Sequence, residues 1–197
     1  MAVSPSPPPK VAATHAGLGK VGIPSLAADP NGPLLWVWGQ TDLLPDIDAR
    51  PPVQPRHRLF GIRSDDGVSW SPPFELAPSI AAGTHMGLPA VTSSGTHWWI
   101  LTYLADDRET RVALLRADRG AGRFEVVRTL ARRPFPADQI SLMASYMFRF
   151  SDQDTPQIGD YVGLAAVGSR VGAAFVLPAT EVPTSRATVF VAIDEIG

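Results

Sequence analysis

Two short apolar runs joined by a polar turn occur three times along this chain, and that repeat restricts the fold more than any bulk property does. Gly22-Ile23-Pro24-Ser25-Leu26 leads through Asp29-Pro30-Asn31-Gly32 into Leu34-Leu35-Trp36-Val37-Trp38. Gly87-Leu88-Pro89-Ala90-Val91 leads through Ser94-Gly95 into a run from Trp98 to Tyr103. Tyr161-Val162-Gly163-Leu164-Ala165-Ala166 leads through Gly168-Ser169 into residues 171–176. Each copy has strand-length runs around a turn of Gly, Asn, Asp or Ser, the signature of a β-hairpin.

Each hairpin gains a third run that ends in aspartate, at Asp65, Asp118 and Asp194. In the first two copies a turn and a fourth run follow, at residues 74–77 and 124–130, while the third copy ends after its third run. Twenty prolines and seventeen glycines interrupt the chain too often for long helices. Four antiparallel strands repeated at this spacing predict an all-β chain of about three propeller blades, at residues 20–78, 84–131 and 158–197. Residues 1–10 are rich in Pro and Ser and read as a flexible lead-in; residues 11–14 are the size of a spare strand. A turn of helix is allowed only within residues 136–147.

After the first third-strand the chain reads Ser64-Asp65-Asp66-Gly67-Val68-Ser69-Trp70. Asp is suited to accepting turn amides, Gly to a positive φ, Ser to local bonds and Trp to packing under the sheet. The segment resembles, one residue shorter, the Asp-box (Ser-x-Asp-x-Gly-x-Thr-Trp) of the sialidase superfamily. Arg116 to Phe124 resembles a decayed second copy, and Gly159 to Ala165 is similar to a segment of the last blade in such BNR-type propellers. The resemblance spans residues 20–197 and implies half of a six-bladed propeller, the C-terminal half. It assigns Ser64, Asp66, Gly67, Ser69 and Trp70 a structural role. It also implies an Arg-Ile-Pro motif on a first-blade inner strand, where this chain has Gly22-Ile23-Pro24. The carboxylate-clamping arginine is therefore missing, and neither the remaining clamp arginines nor a Tyr/Glu nucleophile pair can be assigned by motif.

In antiparallel blades the longest connections share one end, here residues 41–57, 105–111, 132–159 and 177–186, and loops on a rigid β scaffold are where binding residues concentrate. The ligand-binding candidates on that end are Arg56, His57, Arg108, Asp152, Asp154 and Asp160. Asp160 and Tyr161, at the start of an inner strand, are also the catalytic candidates. For any one of them a solvated loop surface is the competing reading. Asp160 could serve only neighbouring amides, Arg108 an exposed ion pair, and Asp152 with Asp154 lacks the twelve-residue pattern of a calcium loop. Trp98 and Trp99, adjacent in one strand, are expected to face opposite sides of a sheet and to pack there rather than to form a sugar platform.

Several chemistries lack their signatures. The absence of cysteine removes disulfides and thiolate sites, and His15, His57, His85 and His97 show no ligand spacing, so no metal is expected. Neither a nucleophile elbow nor a phosphate loop occurs, and no cofactor is expected. A net charge of -2 with 18% charged residues offers no basic stripe for nucleic acid or an anionic membrane. No run approaches the roughly 20 apolar residues of a membrane span, and residues 1–10 lack the apolar run of a signal peptide. A soluble protein is expected, with its compartment unassigned.

Two function classes remain. The leading one is a sialidase-like module for glycan or protein binding without catalysis of its own. The other is an exo-sialidase or related glycoside hydrolase completed by missing blades or a partner chain, with a degenerate fragment as a third reading. Three blades are too few for a closed ring, so a homodimer or a missing propeller half is the expected partner, with residues 11–14 completing the neighbour's last blade.

Overall fold

The computed structural model describes residues 23–29, 32–41, 57–80, 84–134, 162–178 and 187–195. These form three antiparallel sheets, each a meander in chain order, and among the described residues there is no helix. Sheet 1 contains β1 (Ser25–Ala28), β2 (Leu34–Thr41), β3 (His57–Ser64) and β4 (Phe74–Glu75). Sheet 2 contains β5 (His85–Ser94), β6 (His97–Ala105), β7 (Thr110–Asp118) and β8 (Glu125–Arg133). Sheet 3 contains β9 (Gly163–Val167), β10 (Arg170–Pro178) and β11 (Ala187–Glu195). Three consecutive meanders packed face to face are the blades of a β-propeller.

Turn chemistry sets the hairpins. Gly95 and Gly168 take φ of 56° and 57° as the first of two loop residues, the position that type II′ hairpins give to glycine. The fourth strands depart from expectation in opposite directions. β4 is only two residues long because Pro72, Pro73 and Pro78 supply no amide donors. β8 continues to Arg133, with register shifts at Val112/Ala113 and Leu114/Leu115 of its partner strand absorbing the mismatch.

Period-2 alternation gives sheet 2 two apolar faces. Trp98, Ile100, Leu104, Ala113 and Leu115 pack with Leu35, Val37, Leu59 and Leu76 of sheet 1. Leu101, Tyr103 and Val112 pack with Ala173, Phe175 and Leu177 of sheet 3. Trp99, opposite Trp98, packs on Leu114 and Val171, so both tryptophans are core residues. The far side of sheet 1 carries a separate cluster of Trp38, Phe60 and Ile62 with Trp36 and Trp70. The far side of sheet 3 is open, with Val189, Val191 and Ile193 exposed.

Polar ties cross between sheets. At the end bearing the short turns, Arg119 of sheet 2 forms an ion pair with Asp29 of sheet 1, and Arg63 Nη1 donates to the Arg119 carbonyl at 2.9 Å. Between sheets 2 and 3 the Tyr103 hydroxyl donates to the Val176 carbonyl at 2.6 Å and accepts the Val176 amide at 2.9 Å. β9 pairs with β10 only as far as Gly163↔Ala174, so the tyrosine takes the place of a strand beyond that point. The inner strand β5 carries a bulge between Gly87 and Ala90, where Leu88 has a φ of 52°. The Thr102 hydroxyl holds the Gly87 carbonyl at 2.8 Å and fixes this bend.

Candidate functional site

Strands β3, β5, β7 and β9 all start at the end opposite the short turns, so His57, His85 and the β6–β7 connection lie together at one end of the fold. That connection is Asp106-Asp107-Arg108-Glu109, and Asp106 organises it. Its Oδ1 accepts the amides of Arg108 and Glu109, each at 2.9 Å, while its own amide donates to the Glu109 carbonyl at 3.1 Å. A short Asp side chain satisfying amides two and three residues on is what allows so tight a turn.

Around this turn the charges interlock. Arg111 Nη2 contacts Asp106 Oδ2 at 3.2 Å, and Arg111 Nε lies 3.4 Å from Glu109 Oε1. Arg132 Nη1, arriving from β8, reaches the same Glu109 oxygen at 3.1 Å. Arg133 donates to the Arg132 carbonyl at 2.8 Å and lies over the Phe190 ring of sheet 3, 5.1 Å from its centroid. The register Thr110↔Arg133 places β8 alongside the turn. Asp106, Arg108, Glu109, Arg132, Arg133 and Pro134 line an open cleft of about 570 Å³. Burial pushes the Asp106 carboxyl up, but the Glu109 and Arg108 amides and the Arg111 and Arg108 guanidiniums outweigh it and hold the group below the usual carboxylate range.

The Arg108 side chain is 87% exposed and lies 3.9 Å from Asp107, and Arg132 is 62% exposed. The cleft therefore presents guanidinium forks to solvent while Asp106 and Glu109 are engaged by arginines. Such an array can bind carboxylates, phosphates or sugar hydroxyls through planar donors. A glycosidase acid instead needs a carboxyl held protonated in an apolar setting.

Of the sequence candidates, Arg108 lines this cleft, and the acidic side chain beside it is Asp107. His57 begins β3, where its amide donates to His85 Nδ1 at 3.5 Å and the two rings stand 5.4 Å apart. Arg56, Asp152, Asp154, Asp160 and Tyr161 lie outside the described residues. Asp106, Glu109, Arg132 and Arg133 belong to the polar loop end but, like Pro134, were not among the ligand-binding candidates. Their signal was a basic pair at the end of a fourth strand, facing an acidic turn one strand away. Among the described residues no group of three His, Asp or Glu is placed to hold a metal, and no helix is long and apolar enough to cross a membrane.

The Ser64–Trp70 turn sits at the opposite end. Asp66 Oδ1 accepts the Ser69 amide at 2.7 Å, the Val68 amide at 2.8 Å and the Ser64 hydroxyl at 3.1 Å. Gly67, at φ 74°, donates its amide to Ser64 Oγ at 2.8 Å. Arg63 and Ser71 close the base, with amide-to-hydroxyl and amide-to-carbonyl bonds of 3.0 and 2.8 Å. Trp70 meets Trp36 edge-on, with ring centroids 6.1 Å apart. In the related turn of sheet 2, Asp118 contacts His97 Nε2 at 3.1 Å, while Phe124 is buried against sheet 1 and donates its amide to the Leu76 carbonyl at 2.8 Å.

No family model matches this chain, and no curated protein matches it. Among solved structures it is similar to the Bombyx mori GH32 beta-fructofuranosidase BmSUC1, with a TM-score of 0.45 and 14% identity over 86% of this chain and 33% of that one. A mutant of that enzyme in complex with sucrose gives the same values. The chain thus covers a third of the length of those structures. A TM-score below 0.5 at this identity assigns neither activity nor substrate.

Proposed function

We propose that this chain is a sialidase-like propeller module that binds an acidic glycan at the loop end of its second sheet without hydrolysing it. The observation that carries this reading is the cleft in which Arg108 offers its guanidinium and Arg132 the donors not turned to Glu109, while Arg111 engages both Asp106 and Glu109. A carboxylate that accepts two amides and an arginine is a poor proton donor, so the chemistry favours holding an anion over cleaving a glycosidic bond. The Asp66 turn lies at the other end of the strands and serves the backbone. The lack of an arginine before Ile23-Pro24 supports a non-catalytic role on the resemblance to sialidases.

Titration with 3′-sialyllactose and with lactose, followed by protein NMR, tests the reading. Saturable shifts at residues 106–109 and 132–134 are expected with the sialylated sugar and not with lactose. Arg108→Ala combined with Arg132→Ala is expected to weaken binding at least about tenfold, the scale of losing one charge-assisted contact. A fluorogenic sialoside should show no turnover. Equal binding of both sugars or none, or turnover by the isolated chain, would overturn the proposal.

A further inference from the structure

The cleft contains an anion of its own. Glu109 Oε1 accepts a hydrogen bond from Arg132 Nη1 at 3.1 Å and lies 3.4 Å from Arg111 Nε, so one carboxylate oxygen is shared between two guanidiniums. The two sides of this arrangement are unequal. Arg132 reaches in from the end of β8, is 62% exposed and lines the cleft. Arg111 is 25% exposed, stands behind the lining and is anchored by Asp106 Oδ2 at 3.2 Å. Among the described residues Arg111 Nε is buried without a hydrogen-bond acceptor, its contact with Glu109 not being aligned as a hydrogen bond. Glu109 thus gives its hydrogen bond to the exposed arginine and leaves a buried donor behind it unsatisfied, which is the costlier of the two to leave unmade.

We propose that Glu109 is an exchangeable internal counter-ion that sets the affinity of the cleft: an incoming oxyanion displaces it from Arg132, and Glu109 closes onto Arg111 Nε. The inference rests on the reading of the cleft as an anion site. A planar carboxylate takes two donors along one edge of a guanidinium. With Glu109 held on Nη1, a second anion on the same guanidinium stands beside it, and the two like charges repel.

Glu109 is the group that can yield, because Arg111 waits 3.4 Å away on its other side and Asp106 keeps that arginine in place. An ion pair whose cation is mostly in water is weak enough for an external anion to exchange. While Glu109 holds Arg132, the site is only partly competent, and the observed affinity falls by the competent fraction. Asp107 is not placed to act on Arg108 in the same way, since both side chains are 87% exposed and 3.9 Å apart.

Titration of the full chain and of its Glu109→Gln and Asp107→Asn variants with 3′-sialyllactose and, separately, with inorganic sulfate tests the proposal. Each variant removes one negative charge beside the cleft, and glutamine keeps the shape of glutamate. Glu109→Gln is expected to bind both probes about three- to sixfold more tightly than the parent, the converted worth of a partly exposed ion pair. Asp107→Asn should gain less than about twofold. In side-chain NMR of the parent, the Arg111 Nε–Hε resonance should move downfield at saturation, the mark of a new hydrogen bond. The proposal is overturned, with the anion-site reading left standing, if Glu109→Gln binds no more tightly than the parent or if Arg111 Hε stays in place at saturation. Equal gains in the two variants overturn it as well, because net charge alone then sets the affinity. Tighter binding of sulfate by Glu109→Gln, with the Arg111 shift but no binding of 3′-sialyllactose, upholds the exchange and overturns the acidic-glycan reading. No binding of either probe by any of the three proteins overturns both.

Discussion

Asp66 and Tyr103 show how single side chains bind this fold together, one on the surface and one inside it. The Ser69 and Val68 amides, aided by Ser64, lower the Asp66 carboxyl from 3.8 to about 2. Because the folded value is depressed, the stabilisation is present above the unfolded value and disappears as pH falls through the folded one. Asp66→Ala is therefore expected to melt at lower temperature than the parent at neutral pH. That difference should shrink between about pH 4 and pH 2 in thermal scans, without change in affinity for an acidic glycan. Burial raises the Tyr103 hydroxyl from 10.0 to about 12, with the bond to Val176 acting the other way. A raised value in the folded state means stability that is full below the unfolded value and is lost as pH climbs through about 12. Tyr103→Phe strands both the amide and the carbonyl of Val176, and urea unfolding should report a loss of about 1–3 kcal/mol.

At the scale of elements, the short turns do more than reverse the chain. The Asp29 turn of sheet 1 and the Arg119 turn of sheet 2 are joined by an ion pair, and Arg63 binds the backbone of the second. The Asp29 carboxylate is buried and the guanidinium about a quarter exposed, so this pair stands between a surface bridge and a core one. Arg119→Met keeps much of the aliphatic stem and removes the charge. It is expected to cost about 1–3 kcal/mol in denaturant unfolding, more than an exposed pair and less than a fully buried one. The same loss should persist in molar salt, since a buried pair is screened little. At the other end, the Asp106–Glu109 turn and the last residues of β8 build the cleft, and their geometry depends on β8 running to Arg133.

At the scale of the molecule, each sheet is held by its immediate neighbours, with sheet 2 in the middle covered on both faces. A stack of this kind loses its terminal layers first, because they have one interface instead of two. Phe175, with Ala173 and Leu177, packs against Leu101, Tyr103 and Val112 of sheet 2, and within its own sheet it stacks on Phe190 with centroids 5.8 Å apart. Phe175→Ala is expected to cost about 3–5 kcal/mol at that interface. In hydrogen exchange, β9, β10 and β11 should lose protection while β6 and β7 keep theirs. Equal loss across all three sheets would mean that the stack unfolds as one unit.

The hairpins were legible without tertiary structure because their causes are local. Glycine after Ser94 and Val167 supplies the positive φ of a two-residue loop, and strict alternation sends Trp98 and Trp99 to opposite faces whatever lies beyond. Arg108 was likewise readable as a loop-end cation. The cleft around it was not, since it requires Arg132 and Arg133 to arrive beside an acidic turn more than twenty residues earlier in the chain, in a register set by irregularities in β7 and β8. Nor does local patterning reveal that Arg119 meets Asp29, that Tyr103 closes the end of β9, or that Val189, Val191 and Ile193 of sheet 3 stay exposed while Trp38, Phe60 and Ile62 of sheet 1 are buried. Period, turn residues and strand length are determined within a few positions of the chain. Which charge meets which, and which apolar face is covered, depends on how whole sheets stack, and only the tertiary structure decides that.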